Sequence, residues 1–352
     1  MTRIGLVGCG HIGTVHSFAL HQLRKLGLTD ARVVATFDAD PGRAAETARH
    51  HGARPSATLA ELLDAVDVVW VATWTAAHFE AVAAAAARGR AVFCEKPLAP
   101  DLATAIRVAE ALTRVPHQVG LVLRHAPVFR EVATRVADCR HGRLLAVMLR
   151  DEQYFPIQGD YASTWRADVE RAGGGTLLEH SIHDVDVLRW IAGDPVDVIA
   201  RTSTMFDHRG IDDAVALTFT YPGGAHGTLT SVWHQILSRG STRRLEVFCE
   251  RAFLWTEDDY TGPLHVESDA GHEIVPGSAP SWISLLEVPE VYAKPLAQYA
   301  EATLAFLEAL SASPPRPGSP TAAEALAAHY LVDAAYRSAA KGGAPVTMER
   351  TR

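Results

Sequence analysis

The sequence predicts an α/β chain that opens with a doubly wound parallel sheet and continues into an α+β domain built on an antiparallel sheet. Three observations predict it. The first 27 residues read as a strand, a glycine motif and a helix; strand–helix alternation then runs to about residue 125; beyond it, strands follow one another through short connections. With 352 residues the chain exceeds what one core usually holds. The pattern change divides it into domains 1–125 and 126–352, and the C-terminal helices within 292–341 are candidates to pack back toward the first.

Taken in order, "RIGLVG" reads as a buried strand and "GCGHIG" places Gly8, Gly10 and Gly13 in the G-x-G-x-x-G spacing, with His11 and Ile12 between them. One glycine permits the tight turn, one lets the backbone approach a pyrophosphate, and one lets helix and strand pack closely. A helix from about Ile12 to Gly27 would offer its N-terminal N–H groups to the phosphates. The motif is specific here because it follows a strand and opens a helix. "RVVATFDAD" is the second strand, and Asp38 at its end can accept from the adenosine ribose hydroxyls. A 2′-phosphate would be repelled there, which favours NAD over NADP, although Arg43 lies close by in sequence.

"VDVVWVAT" (strand), "AHFEAVAAAAARG" (helix), "AVFCEKP" (strand and exit turn), "LATAIRVAEALTR" (helix) and "HQVGLVLR" (strand) continue the alternation. Ligands of such sheets bind beyond the carboxyl ends of the strands, where Thr73, Trp74, His78, Glu95, Lys96, Arg124 and His125 are expected. Past residue 125, "PVFREVATRVADC" is a helix and "LLAVMLRDEQYF" a strand; apolar–polar alternation recurs near 196–206, 213–221, 225–236, 243–249 and 251–256. Residues 257–290, rich in Pro, Gly and Ser, read as loop, and two helical patterns close the chain.

Composition narrows the partners. A net charge of −8 argues against nucleic acid and anionic membranes. Cys9, Cys94, Cys139 and Cys249 are scattered, with no CxxC pair, which suggests free thiols in a reducing, cytoplasmic setting and no metal site. No secretory signal is seen and no apolar run is long enough to span a bilayer.

The stretch "RAGGGTLLEHSIHDVDVLRW" carries the densest chemistry. As a helix from Thr176, it buries Leu178, Ile182 and Val185 on one stripe and groups Glu179, His183, Asp186 and Trp190 on another, with His180 and Asp184 on a solvated edge. A carboxylate touching an imidazole tunes a general base. "TLLE" equally fits a capping box in which Glu179 serves the backbone at Thr176, and this stretch alone leaves both readings open. Arg124 reads equally as a domain-bridging ion pair or a substrate contact, and Trp165 with Arg166 as core packing or a sugar-facing pair.

"GLVGCGHIG", Asp38, "VATWTAAH", "CEKPLA", "GLVLRHAP", "WRADVERAGGGTLLEHSIHDVDVLRW" and the final helix, in this order, resemble the Gfo/Idh/MocA family of sugar and cyclitol dehydrogenases over nearly the whole chain. The resemblance implies a Rossmann domain for NAD and a C-terminal α+β domain whose large, mostly antiparallel open sheet forms the substrate pocket on one face. The other face commonly makes a homodimer or homotetramer. It implies that Lys96 lies beside the nicotinamide and binds the reacting oxygen, that His183 is the catalytic acid–base, and that Glu179 tunes the pair from a position usually held by aspartate. Substrate contacts fall to Lys96, Arg124, Trp165, Arg166, Glu179 and His183. Ser181 and Trp74 depart from a common glycine and a common proline.

These implications suit the chemistry. Oxidising a hydroxyl removes a proton while hydride leaves the same carbon, and an unperturbed histidine is a fit base at neutral pH. An ammonium stabilises developing alkoxide charge, and a cationic nicotinamide nearby would lower its pKa. The expected activity is reversible NAD-dependent oxidation of a secondary hydroxyl of a sugar, cyclitol or amino sugar to a ketone. The last is suggested by Asp151, Glu152, Asp160, Asp168, Asp207, Asp212 and Asp213. The alternatives are a glycosidase working by transient oxidation and elimination, and a non-catalytic NAD-binding regulator.

Overall fold

The computed structural model describes residues 1–348, in two units: 1–122 with 280–326, and 123–279 with 327–348. The first begins with β1 (Arg3–Val7), α1 (His11–Lys25), β2 (Arg32–Phe37), α2 (Pro41–His51), β3 (Arg54–Pro55) and α3 (Leu59–Ala65). It continues through β4 (Val68–Val71), α4 (His78–Ala87), β5 (Ala91–Cys94), α5 (Leu102–Leu112) and β6 (His117–Val119). The six strands pair in parallel in the order β3-β2-β1-β4-β5-β6. Every residue of β4 and β5 is buried, as expected when helices cover both faces. Asp40 caps α2 and Asp101 caps α5 through their carboxylates, and Thr58 caps α3 through its hydroxyl.

The second unit holds α6 (Pro127–Ala137), β7 (Leu144–Tyr154), the short α7 (Val169–Ala172), α8 (Ile182–Ala192) and strands β8 (Asp197–Ser203), β9 (Ala214–Thr220) and β10 (His226–His234). Then come β11 (Thr242–Cys249), β12 (Ala252–Thr256), β13 (Leu264–Ser268) and β14 (Gly271–Val275). Helices α9 (Glu290–Ser311) and α10 (Ala322–Ala340) and strand β15 (Val346–Thr347) follow. Helix α9 belongs to the first unit, where Phe306 packs edge-on to the stacked pair Trp70 and Phe93. The sheet runs β14-β13-β12-β11-β7-β10-β9-β8-β15 and is antiparallel except where β10 lies parallel to β7. On β7, Val147, Leu149, Asp151 and Gln153 face inward beneath α8, while Leu145 and Met148 are exposed.

Four differences from the sequence reading matter. Residues 39–66, given no elements, hold α2, β3 and α3. Residues 257–290 are not all loop, because β13 and β14 form a hairpin there; β14 is an exposed edge strand, so it lacks the buried alternation that betrays a strand. Strand β6 stops at Val119, and Arg124 and His125 lie in a 3-10 turn (Val122–His125), not at a strand end. Gly120 packs so tightly on Glu95 that a Cβ would fall 2.6 Å from its carboxylate oxygen, and the chain turns away there. Finally, the helix predicted from Thr176 is a π-helical turn (Thr176–His180) closed by Ser181 N–H donating to the Thr176 carbonyl over 2.7 Å, after which α8 starts afresh.

Candidate active site

In the first unit, Gly8 takes φ +94°, with Ala72 and Thr73 backbone atoms 2.5–2.6 Å from where a Cβ would stand. A Cβ on Gly13 would sit 2.1 Å from the Gly8 carbonyl oxygen, so the turn closes only without side chains there. Gly10 differs: no atom lies within 4 Å of its would-be Cβ, and no side chain caps the helix it opens. Helix N-termini of this kind are where phosphate oxygens meet backbone N–H groups. Asp38 Oδ2 accepts from the Cys9 amide at 2.7 Å, which locks the ribose-binding candidate to the glycine turn. Its Oδ1 accepts from the Asp40 amide at 2.8 Å and lies 3.2 Å from Arg43. Each oxygen has two lone pairs, so acceptor capacity for ribose hydroxyls remains. These residues fit a dinucleotide.

Two residues placed at the cofactor site by sequence turn out to be internal braces. His78 is buried, with Nδ1 2.9 Å from the Pro97 carbonyl oxygen and Nε2 3.2 Å from that of Thr73, and burial holds its pKa down. It ties the loop after β4 to the loop after β5. Glu95 is also buried; Oε1 meets His16 Nε2 at 2.5 Å and Oε2 accepts the Lys96 amide at 3.1 Å. Burial alone would raise its pKa, but His16 and the Lys96 charge hold it below the ordinary carboxylate value. An ionised carboxylate thus sits under the turn that carries Lys96, itself half-buried. Thr73 and Trp74 are half-buried just before the 3-10 turn Thr75–Ala77, and His11 is exposed at the start of α1, with Ile12 packed partly against the core.

In the second unit, Glu179 does not cap Thr176. The Thr176 amide donates to the Asp212 carbonyl at 2.6 Å, and Glu179, 2% exposed, has Oε2 3.4 Å from Arg166 Nε. A buried carboxylate requires such a partner. The Arg166 guanidinium lies 4.4 Å over the Trp165 ring, so Trp165, Arg166 and Glu179 form one cluster. His183 is buried on the first turn of α8. One turn later Asp186 receives both prongs of Arg124, each at 2.7 Å, an ion pair that anchors the His183 helix within its own unit.

His180 and Asp184 are not a solvated edge. His180 Nε2 is 2.8 Å from Asp151 Oδ2, and Arg243 Nε donates to Asp184 Oδ1 at 2.7 Å; the two aspartates have no exposed side-chain surface. The π-helical turn advances each residue by less than an α-helix would, so the wheel drawn from Thr176 misassigns this face. Sequence reasoning also missed Asp212. Its carboxylate accepts from the Gly175 amide (2.8 Å), the Leu177 amide (2.9 Å) and the Tyr336 hydroxyl (2.7 Å), and fixes the turn to the chain entering β9. No local pattern distinguishes it from neighbouring Asp213, which binds the Met205 and Phe206 amides. Asp151, Glu152, Asp168, Asp212 and Asp213 all have internal partners, so the acidity of this domain no longer argues for an amino sugar.

The family models settle the ancestry. Residues 2–121 match the model described as "Oxidoreductase family, NAD-binding Rossmann fold", and 129–254 match "GFO/IDH/MocA C-terminal domain". The chain belongs to the Gfo/Idh/MocA oxidoreductases. Among similar proteins, an inositol 2-dehydrogenase of Rhizobium meliloti is 27% identical over 96% of this chain and 97% of its own. A 1,5-anhydro-D-fructose reductase of Ensifer adhaerens is 32% identical over 61% of this chain and 64% of its own. The structure of a levoglucosan dehydrogenase with NADH and levoglucosan superposes with a TM-score of 0.85 over 99% of both chains at 22% identity, a likeness of fold. As a member of this family, the protein is an NAD-dependent oxidoreductase, and the glycine turn and Asp38 belong to its NAD-binding domain. Among the described residues no helix is long and apolar enough to cross a membrane.

Proposed function

We propose that this Gfo/Idh/MocA enzyme oxidises, reversibly, a secondary hydroxyl of a sugar, cyclitol or related polyol to the ketone. The observation that carries it is a buried Glu179 and His183, on the π-helical turn and the first turn of α8, in a chain whose other unit presents the dinucleotide fit of Gly8, Gly10, Gly13 and Asp38 and a half-buried Lys96. Relatives named for inositol oxidation and anhydrofructose reduction support both the substrate class and reversibility.

Bound NAD supplies the hydride acceptor. His183 takes the hydroxyl proton in oxidation and returns it in reduction. The Lys96 ammonium holds the oxygen and stabilises its developing negative charge, while Glu95 beneath its backbone balances that charge. Glu179 sets the electrostatics around the base, its own charge matched by Arg166. Trp165, stacked on Arg166, offers an indole face to ring C–H groups. Free cysteines throughout agree with a cytoplasmic setting, and the exposed sheet residues Leu145, Met148, Ile199 and Phe248 suit a homodimer or homotetramer face.

Incubation with NAD and a panel of sugars, cyclitols and amino sugars should yield NADH with at least one polyol. Lys96→Ala should still bind NAD while turnover drops at least about a hundredfold. Aglycone release without net NADH would instead establish the elimination route, and a Lys96→Ala protein of unchanged function would establish a regulator.

A further inference from the structure

Beneath the π-helical turn lies a charged cluster that the reaction above leaves without a role. Arg243 on β11, 6% exposed, reaches Asp184 (Nε, 2.7 Å), Asp259 (Nη1, 2.9 Å) and Asp151 (Nε, 3.6 Å). His180, the residue after Glu179, closes the cluster through Nε2 at 2.8 Å from Asp151 Oδ2. The same nitrogen lies 3.2 Å from Arg243 Nη2, so His180 Nε2 sits between the carboxylate and the guanidinium. Ser181 and Ser231 hydroxyls donate to the same Asp151 oxygen at 3.4 and 3.5 Å, and Ser231 meets the Thr176 hydroxyl at 2.7 Å.

Such a cluster is a poor stabiliser. Removing several charges from water offsets most of their mutual attraction, and apolar replacements of equal volume are often neutral or better. What it does provide is orientation. A π-helical turn is rare beside the α-helix, and this one is held by external anchors at both ends. Its start is held by Asp212 and Ser231, and its end by Asp151 through His180 and Ser181. Glu179 lies between these anchors, and its side chain engages Arg166.

We propose that His180 is a positioning residue for the reaction: anchored by Asp151 and braced by Arg243, it holds the π-helical turn in the register that directs Glu179 to Arg166. This rests on the functional reading in which Glu179 acts at the reaction centre. His180→Leu removes the anchor, whereas the His180→Gln amide can donate to Asp151 or accept from Arg243, the two partners of the imidazole nitrogen. In a purified holoenzyme, His180→Leu should lose about tenfold or more in kcat, as small misplacements of catalytic groups do, with KM for the polyol and NAD affinity little changed. His180→Gln should recover most of the loss. Hydrogen exchange at the amides of residues 177–181 gives a readout that needs no turnover: faster in the leucine variant, near wild type in the glutamine variant.

Equal exchange and equal kcat in wild type and His180→Leu would overturn the proposal, as would a glutamine variant no better than leucine. If the leucine variant does not fold, Asp151→Asn, which preserves volume and one acceptor oxygen, must show the same kcat-selective loss and faster exchange. Failure of the wild type to oxidise any polyol overturns the functional reading, and the exchange experiment then still decides the positioning role.

Discussion

The glycine turn after β1 and the π-helical turn before α8 do similar jobs by opposite means. Each opens a helix and presents groups of the proposed chemistry. The first is built mainly from backbone: Gly8 and Gly13 fold against carbonyl and amide atoms, and the Asp38 carboxylate reaches in to the Cys9 amide. The second is built from side chains of distant strands and a helix. Asp212, Tyr336, Ser231, Asp151 and Arg243 converge on five residues that would not hold this shape unaided. A backbone-built site can be read in a short sequence window, whereas a site built by remote side chains cannot.

The largest expected effects test whether the two turns are separable. In Gly175→Ala the new Cβ would sit 1.8 Å from the Asp212 carbonyl oxygen, and in Gly13→Ala 2.1 Å from that of Gly8. Neither obstacle is a flexible side chain, so each variant should lose about 3 kcal/mol or more of stability. The functional losses should differ. Gly13→Ala should abolish NAD binding in a fluorescence titration, while Gly175→Ala, in whatever fraction folds, should bind NAD near normally and fail in turnover. If Gly13→Ala keeps wild-type NAD affinity, the backbone-built account of the first turn is wrong.

Asp212→Ala is the next test. It leaves the Gly175 and Leu177 amides and the Tyr336 hydroxyl without their buried acceptor. Buried donors so orphaned cost roughly 1–3 kcal/mol each. With some relaxation, the total should be about 3 kcal/mol in denaturant unfolding. A loss below about 1 kcal/mol would mean the second turn holds itself, and the contrast between the two sites would collapse.

This contrast also explains what the sequence disclosed. Strand β1, the G-x-G-x-x-G spacing and Asp38 were legible because a parallel-sheet turn onto a helix fixes glycines at set offsets. The inward residues of β7 to β12 were legible through alternation. Glu179 and His183 stood out as types, but the π-helical turn did not, because its cause lies up to some 160 residues away, at Tyr336, in a hydroxyl bound to Asp212. His78 and Glu95 were legible as residues at strand ends, but the partners that turn them inward, Pro97 and His16, leave no periodic trace. His180 and Asp184 read as a solvated edge because the wheel drawn from Thr176 turns them away from Glu179 and His183; Arg243, 59 residues from Asp184, makes the burial of that carboxylate tolerable.

The smallest expected effect is the most diagnostic of that buried cluster, because its sign changes between two neighbouring aspartates. Burial, and then the Asp151 charge, push Asp184 up to about 8 against the pull of Arg243, while Arg243 and His180 hold Asp151 well below the usual range despite its burial. Between the ordinary aspartate value near 4 and about 8, folded Asp184 therefore keeps a proton that the unfolded chain has released. The native state binds more protons in that window, so this group's contribution to stability is complete below pH 4 and is lost as pH rises through 8. Asp184→Asn cannot ionise, keeps Oδ1 as acceptor for Arg243, and mimics the protonated acid. Urea midpoints at pH 4.5, 7 and 9 should show the variant close to wild type at the first and increasingly more stable than wild type toward the last. Asp151→Asn should do the reverse at neutral pH, because it removes the ionised partner of Arg243 and His180. Two aspartates on one guanidinium that respond alike would show that the proton is not localised on Asp184.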